Sequence, residues 1–473
     1  MFLSRVLLAR LGRGIARPHA SHSYSTKVPS SNLRRNIALF GFISSPGIWW
    51  LTATRDDVPC FEGSPTPQIK LPPGPSKEEI TRIISEGAYS HKVDDVSGVH
   101  RYDGTQLASN GPCEDRFLHG KLPSPRKDGS HWMTWAVFDG HAGSQTADLL
   151  EKQLMPFLVH KLDQIKSLPN NDSMAEEFIH RAITQGFLDF DKAIVDAAVD
   201  VTRSNLPLHE KVKLLAPAYA GSCALLSLYD PASSILHVAC TGDSRAVLGQ
   251  QGADGKWEVI PLSVDQTGYN AEEAERLQKE HPGEEEMIKN GRVLGLAVSR
   301  AFGDSRWKWS LEFQKEMKQR FNGPAPLTPR YDVRTPPYLT AEPVITSTKI
   351  DPSKPSFLIM ASDGLWDMLS NKQAVDLVGK WLEPVDNRVE LEPTYEPFDF
   401  GQFWKGMNWK FEEKRTTVQD ENAAVHLVRN SLGGNHNELI AGRLAFGPPF
   451  SRHVRDDITV QVVFLNVPDI KNI

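Results

Sequence analysis

Residues 135–143 read WAVFDGHAG. The apolar, β-prone run from Trp135 to Phe138 stops at Asp139, Gly140, His141 and Gly143. A helical pattern follows, with Ala147, Leu150, Leu154 and Phe157 at spacings of three or four. The stretch predicts a strand, a tight turn and a helix, with an acid and an imidazole at the strand end. Such a rigid strand end can hold a carboxylate still enough to position a metal. Asp-Gly is also ordinary turn chemistry, so the reading depends on whether the arrangement recurs.

It recurs at four more acidic sites. Glu114 and Asp115 lie in NGPCEDRF (110–117), beside a turn of small residues. Asp243 follows the apolar run LHVACT (236–241), and Asp363 follows FLIMAS (357–362). Asp456 and Asp457 open the last apolar run, in RDDITVQVVF (455–464). An unpaired charge beside an apolar strand is costly to bury, and a shared cation would satisfy all of these acids. The ligands are oxygen-only, with no Cys or His cluster, so the cation should be hard, Mg²⁺ or Mn²⁺. Several carboxylates around more than one ion suit two-metal hydrolysis, in which an activated water attacks phosphorus in line. Turn capping explains any one of these motifs taken singly; it explains the set poorly.

Strands are expected at 132–138, 222–229, 235–241, 245–248, 357–362 and 458–465. Helices are expected at 144–160, 175–198, 271–280 and 372–381. Short turns containing Asp-Pro and Gly-Asp separate 222–229 from 235–241 and 235–241 from 245–248, so these read as antiparallel hairpins. Long helices beside antiparallel strands predict an α+β layered fold of sheets covered by helices. Two segments lack a sustained period. Residues 310–339 are rich in Pro and basic residues, and 383–420 in aromatics and acids. Both are expected to be surface insertions that cover or flank a site. The aromatic one is either a partner surface or packs on the domain itself.

The chain has 473 residues and a net charge of −6, which hides an asymmetry. Residues 1–55 hold eight basic residues and no acid, leaving 59 acids against 45 bases in the remainder. A body that acidic is a poor partner for a nucleic-acid backbone, so no nucleic-acid binding is expected. Four cysteines without a CxxC pair (Cys60, Cys113, Cys223, Cys240) suggest free thiols in a reducing compartment. If residues 1–27 are helical, Arg10, Arg13 and Arg17 share one face while Leu8, Leu11 and Ile15 occupy the other, the signature of a mitochondrial presequence. Residues 28–55 are basic and apolar. Within them 37–53 is an uncharged stretch at the lower length limit for a membrane span, interrupted by Ser44, Ser45, Pro46 and Gly47. It could contact the inner membrane as a span or sorting signal, or dock on the domain. Residues 56–90 form a Pro-rich linker and a short helix with Ser76 as N-cap. Residues 91–467 read as one large domain.

The motifs EDRF (114–117), VFDGHAG (137–143), GSCALLSL (221–228), TGDSRAVL (241–248), LAVSRAFGD (296–304), ASDGLWD (361–367) and RDDITV (455–460) occur in this order. Together they resemble the metal-dependent Ser/Thr protein phosphatases of the type 2C family, over about residues 91–467. The segment 265–309 is most similar to the mitochondrial pyruvate dehydrogenase phosphatase branch. The resemblance implies a central antiparallel β-sandwich flanked by α-helices, with a dimetal site in the cleft at one end. It implies that Asp139 bridges two Mg²⁺ or Mn²⁺ ions, that Asp363 and Asp456 bind one, and that Glu114 and the Gly140 carbonyl bind the other. Asp115 would orient metal-bound water, and Asp243 with Asp363 would form a weaker third site. His141 would protonate the leaving Ser or Thr oxygen, a role suited to an imidazole. Asp304 matches a family acid near the cleft.

One position departs from the pattern. Where many family members carry a phosphate-binding Arg, this chain has Asn110, a candidate for the substrate phosphate that can still donate to a phosphate oxygen but loses the charge and the bidentate fork. The pyruvate dehydrogenase phosphatases look similar here. Arg116 is a weak alternative for the phosphate. The expected function is therefore that of a mitochondrial phosphoprotein phosphatase, with pyruvate dehydrogenase as its candidate substrate. The alternatives are the same chemistry on another mitochondrial phosphoprotein, or a pseudophosphatase scaffold. A scaffold would be free to lose Asp139 or Asp363, and this chain keeps both.

Overall fold

The computed structural model describes residues 76–165, 172–405 and 411–467. The expected presequence, the 37–53 stretch, Cys60 and most of the Pro-rich linker lie outside the described residues. Among the described residues no helix is long and apolar enough to cross a membrane.

Helix α1 (Lys77–Ser85) leads into β1 (Tyr89–Lys92), β2 (Val99–Leu107), β3 (Arg116–Pro123) and β4 (His131–Phe138). Helices α2 (Gln145–Asp163), α3 (Asp172–Arg203) and α4 (Leu208–Tyr219) follow. Next come β5 (Ala224–Asp230), β6 (Ile235–Thr241), β7 (Arg245–Gln251) and β8 (Trp257–Pro261). Helices α5 (Ala271–Glu280) and α6 (Leu311–Phe321) precede β9 (Val344–Lys349) and β10 (Ser356–Ala361). The chain then runs through α7 (Asp363–Trp366), α8 (Asn371–Trp381), α9 (Ala423–Leu432) and α10 (Asn437–Ala445) into β11 (Ile458–Leu465).

The strands build two large sheets, ordered β1-β2-β11-β10-β7-β8 and β9-β6-β5-β4-β3. Every neighbouring pair in both is antiparallel. The side-chain alternation of β4 shows why the opening stretch decides the fold. Met133, Trp135 and Val137 point into a core shared with Leu358, Met360 and Val463 of the other sheet. Trp132, Ala136 and Phe138 point the other way, into a core with Leu150 and Leu154 of α2 and Phe187 of α3. A strand covered on both faces is apolar throughout, so it reads as a run rather than an alternation. The outer face of the first sheet behaves alike. Ile458, Val460, Val462 and Phe464 pack with Leu377 and Trp381 of α8 and with α9. The fold is thus α+β, with antiparallel sheets flanked by helices, as predicted.

Three segments outside the main predicted elements pack against the body. Ser76 caps α1 through a bond from the Glu79 amide, and Ile80 and Ile84 are fully buried in the α8–α9 core, so this helix belongs to the compact body. Residues 310–339 contain α6, capped by Ser310. Its Met317 and Phe321 enter the core beneath α3 and α4, while Tyr338 stacks on His281. The aromatic segment packs on its own domain. Phe400 stacks with Phe403 and meets Phe446, and Arg443 lies over Phe403.

Candidate active site

The acids gather at one end of the sandwich because the strands that precede or follow them end there. Carboxylate oxygens of Asp139, Asp243 and Asp363 all lie within 4.8 Å of one another. Asp139 follows β4, Asp243 lies in the β6–β7 turn, and Asp363 opens the four-residue α7. The Asp363 amide donates to Asp139 Oδ2 at 3.4 Å. Gly140 permits the approach of the neighbouring loop, since a Cβ there would sit 2.3 Å from the Glu114 carbonyl oxygen.

Among the described residues, no Lys or Arg is ion-paired with any of the three. Burial, followed by repulsion from Asp363, Asp115 and Asp243, holds the Asp139 carboxyl well above its usual range. Burial and then Asp243 do the same to Asp363. Asp243 is raised by burial, against a bond from the Cys223 thiol, whose Sγ lies 3.2 Å from Oδ1. Half-buried like charges this close are unstable alone and are relieved by protonation or by a cation. The donors are oxygen-only, which fits a hard divalent ion.

The other expected residues surround this trio. Asp115 is buried, accepts from Thr459 Oγ1 at 2.8 Å, and is pushed up to about 7 by burial and by Asp457. Glu114 is half-buried, and burial raises it despite a bond from the Gly143 amide. Asp456 lies outside the trio, and its carboxylate meets Arg452 one turn earlier. Its neighbour Asp457 carries the structural role. Asp457 accepts the amides of Ser109 (2.5 Å), Asn110 (2.8 Å) and Glu114 (2.8 Å), fastening the loop that bears Glu114. The Asn110 side chain also donates to Asp457, at 2.9 Å. Arg116 is spent elsewhere, on Asp148 at 2.7 Å and on the Cys113 and Asp115 carbonyls.

His141 has a partner that spacing alone could not give. Gly140–His141, Gly221–Ser222 and Phe302–Gly303 pair as a three-stranded ribbon with Gly221–Ser222 in the middle. This ribbon brings His141 Nε2 to 2.5 Å from Asp304 Oδ2. Gly221 makes the contact possible, because a Cβ there would lie 2.2 Å from both atoms. Asp304 adopts a left-handed conformation, with φ 45°, and is nearly fully buried. Burial alone would push the His141 imidazole down, but the charge and bond of Asp304 more than reverse this, leaving it raised. Asp191 stands behind the ribbon. It accepts the Gly303 amide at 2.9 Å and pairs with Lys308 at 2.7 Å.

A cleft of about 520 Å³ opens beside Asp243 and Asp363, walled by Arg245, Asp265, Tyr269 and Trp366. Its one guanidinium is committed, since Arg245 forks onto Asp265 and lies over the Trp366 ring. Cys223 and Cys240 are buried, and burial raises both thiols, Cys240 to about 12. They are therefore poor nucleophiles. Sequence reasoning flagged the Asp-Asp doublet and, by resemblance, assigned Asp456 to a metal, but it did not foresee the loop-fastening bonds of Asp457 or the contact of Arg452.

Comparison with known proteins gives a consistent set of matches. The family sequence model described as Protein phosphatase 2C matches residues 106–390. A protein phosphatase 2C homolog of Schizosaccharomyces pombe is 41% identical over 414 residues, 87% of this chain and 90% of that one. The mitochondrial [pyruvate dehydrogenase [acetyl-transferring]]-phosphatase 1 of Saccharomyces cerevisiae is 37% identical over 420 residues, covering 82% of this chain and 72% of its own length. The human mitochondrial phosphatase 2 of the same description is 31% identical over 453 residues, 83% of each chain.

Proposed function

The chain belongs to the protein phosphatase 2C family and is a Ser/Thr protein phosphatase, and on that premise we propose that it acts in mitochondria, with divalent metal, on the phosphorylated pyruvate dehydrogenase complex. The observation that carries the metal reading is the trio Asp139, Asp243 and Asp363, half-buried within 4.8 Å of one another with no Lys or Arg ion-paired to them among the described residues. Asp139, Asp363 and Asp456 with Glu114 and the Gly140 carbonyl would hold two Mg²⁺ or Mn²⁺ ions, and Asp243 with Asp363 a weaker third. Bound there, the ions would supply an activated water and neutralise charge on the phosphoryl group.

The chain's own residues would do the remainder. Asp115, fixed by Thr459, would orient the attacking water. His141, whose Nε2 is bonded to Asp304, would give its Nδ1 proton to the departing Ser or Thr oxygen, since an alkoxide is a poor leaving group. Asp304 would fix the ring and restore its charge balance.

The mitochondrial reading is supported by the acid-free, Arg-rich start of the chain and by the mitochondrial relatives. The substrate reading is supported by those relatives' descriptions. The test is phosphate release by the full chain from phosphorylated pyruvate dehydrogenase, with Mg²⁺ or Mn²⁺ and then with excess EDTA. Rapid, chelator-sensitive release, well above that from an unrelated phosphoprotein, is expected. Metal-dependent release from the unrelated protein alone would discard the substrate and keep the chemistry.

A further inference from the structure

A phosphomonoester dianion needs a cationic partner beside the metals, and Asn110 supplies no charge. Among the described residues, four cations other than Arg452 lie around the site. Arg116 is bonded to Asp148 and to two carbonyls. Arg245 is bonded to Asp265 and Asn371. Arg455 is half-buried and donates to the Ala108 and Arg443 carbonyls. Lys308 is held by Asp191 behind the ribbon. Each of these is committed to a structural bond.

Arg452 differs. It lies on the single helical turn Phe450–His453, and its side chain is 46% exposed. The next residue back, Ser451, is fully buried and donates from Oγ to the Ser109 carbonyl at 2.5 Å. That bond fastens the turn one residue from Asn110, the position where the charge is missing. Arg452 meets Asp456, and its charge also acts on the carboxyls of Glu114, Asp115, Asp363 and Asp367. It therefore faces the acid cluster from an accessible rim.

We infer that Arg452 binds the substrate phosphate, contributing from the β11 side the guanidinium that the Asn110 loop lacks. The inference rests on the metal reading above. If Asp456 turns to a cation, Arg452 loses its carboxylate and keeps a forked donor set suited to two phosphate oxygens. The turn that carries Arg452 would then be a phosphate-recognition element as well as a connection into β11.

The test uses the full chain with inorganic phosphate and Mn²⁺ as probes, in the wild type, Arg452→Gln and Arg452→Lys. Phosphate affinity is read by calorimetry in the presence of Mn²⁺, and Mn²⁺ affinity by electron paramagnetic resonance. Arg452→Gln should weaken phosphate about 10- to 100-fold, with Mn²⁺ affinity retained, and Arg452→Lys should fall between. The KM for a phosphopeptide should rise with it. Phosphate affinity within twofold of wild type in Arg452→Gln overturns the inference alone. Parallel loss of phosphate and Mn²⁺ also overturns it, by making Arg452 a support for Asp456. A wild type that takes up no Mn²⁺ overturns the metal reading and this inference with it.

Discussion

Acids held away from bulk water occur in two kinds of surroundings in this protein, buried in the body and half-buried at the cleft, and the contrast separates body from site. In the body most are matched to a base, while Glu284 takes the hydroxyls of Thr335 and Tyr338. Arg101 forks onto Asp103 at 2.7 and 2.9 Å, and Arg429 onto Asp420 at 2.8 Å on both oxygens. Glu273 takes Arg300, Arg276 and the Ser299 hydroxyl. At the cleft, Asp139, Asp243 and Asp363 face one another instead. Removing one partner of a matched pair strands a charge, whereas removing one of three repelling carboxylates relieves strain. The same residue type thus stabilises one region and destabilises the other until a cation arrives.

The largest expected effect is on turnover. Asp139→Asn should reduce phosphate release by at least about 10³-fold, on the scale of losing a central electrostatic element. The metal-free variant should nevertheless melt a few degrees higher than metal-free wild type, roughly 2–4 °C, as scanning calorimetry would read. A lower melting temperature would place Asp139 with the matched acids. The opposite sign is expected in the body. Asp420→Asn should cost about 3–5 kcal/mol of stability, measured by denaturant unfolding, with kcat unchanged in the folded fraction.

His141→Ala should slow phosphopeptides by about 10²-fold or more and aryl phosphates far less, because an aryl oxygen leaves without a proton. Equal slowing of both would make His141 structural. Glu273→Gln should have the smallest effect, at most about 3 kcal/mol. Burial alone would raise the Glu273 carboxyl, but its bonds to Arg300, Arg276 and Ser299 bring it down to about 2. A carboxyl lowered on folding stabilises the protein above its unfolded value, near 4.5. That contribution disappears as pH falls from there towards 2. Acid unfolding curves of wild type and Glu273→Gln should therefore converge over this window.

What the sequence made legible follows from the same physics. Strands covered on both faces, such as β4 and β11, are apolar runs and were recognisable, as were the acids at their ends. Strand β2 was not, because Arg101 and Asp103 break its apolar pattern while forming a buried pair with each other. Helix α9 was missed because all of its residues are buried, so its polar stripe faces the protein interior instead of solvent. Its His426, Arg429 and Asn430 are satisfied by bonds that a linear reading cannot see. At the site, the His141–Asp304 contact spans 163 positions and depends on the Gly221 ribbon. Arg452 was hidden because an Arg four residues before an acid is ordinarily a surface pair.

The central claim is that the unmatched carboxylates at the cleft hold divalent cations. Its most direct test is a Mn²⁺ titration of the full chain, wild type beside Asp139→Asn, with free Mn²⁺ counted by electron paramagnetic resonance. The account predicts about two tightly held ions in the wild type and loss of that binding in Asp139→Asn. Equal uptake by both proteins, or none by either, would contradict it.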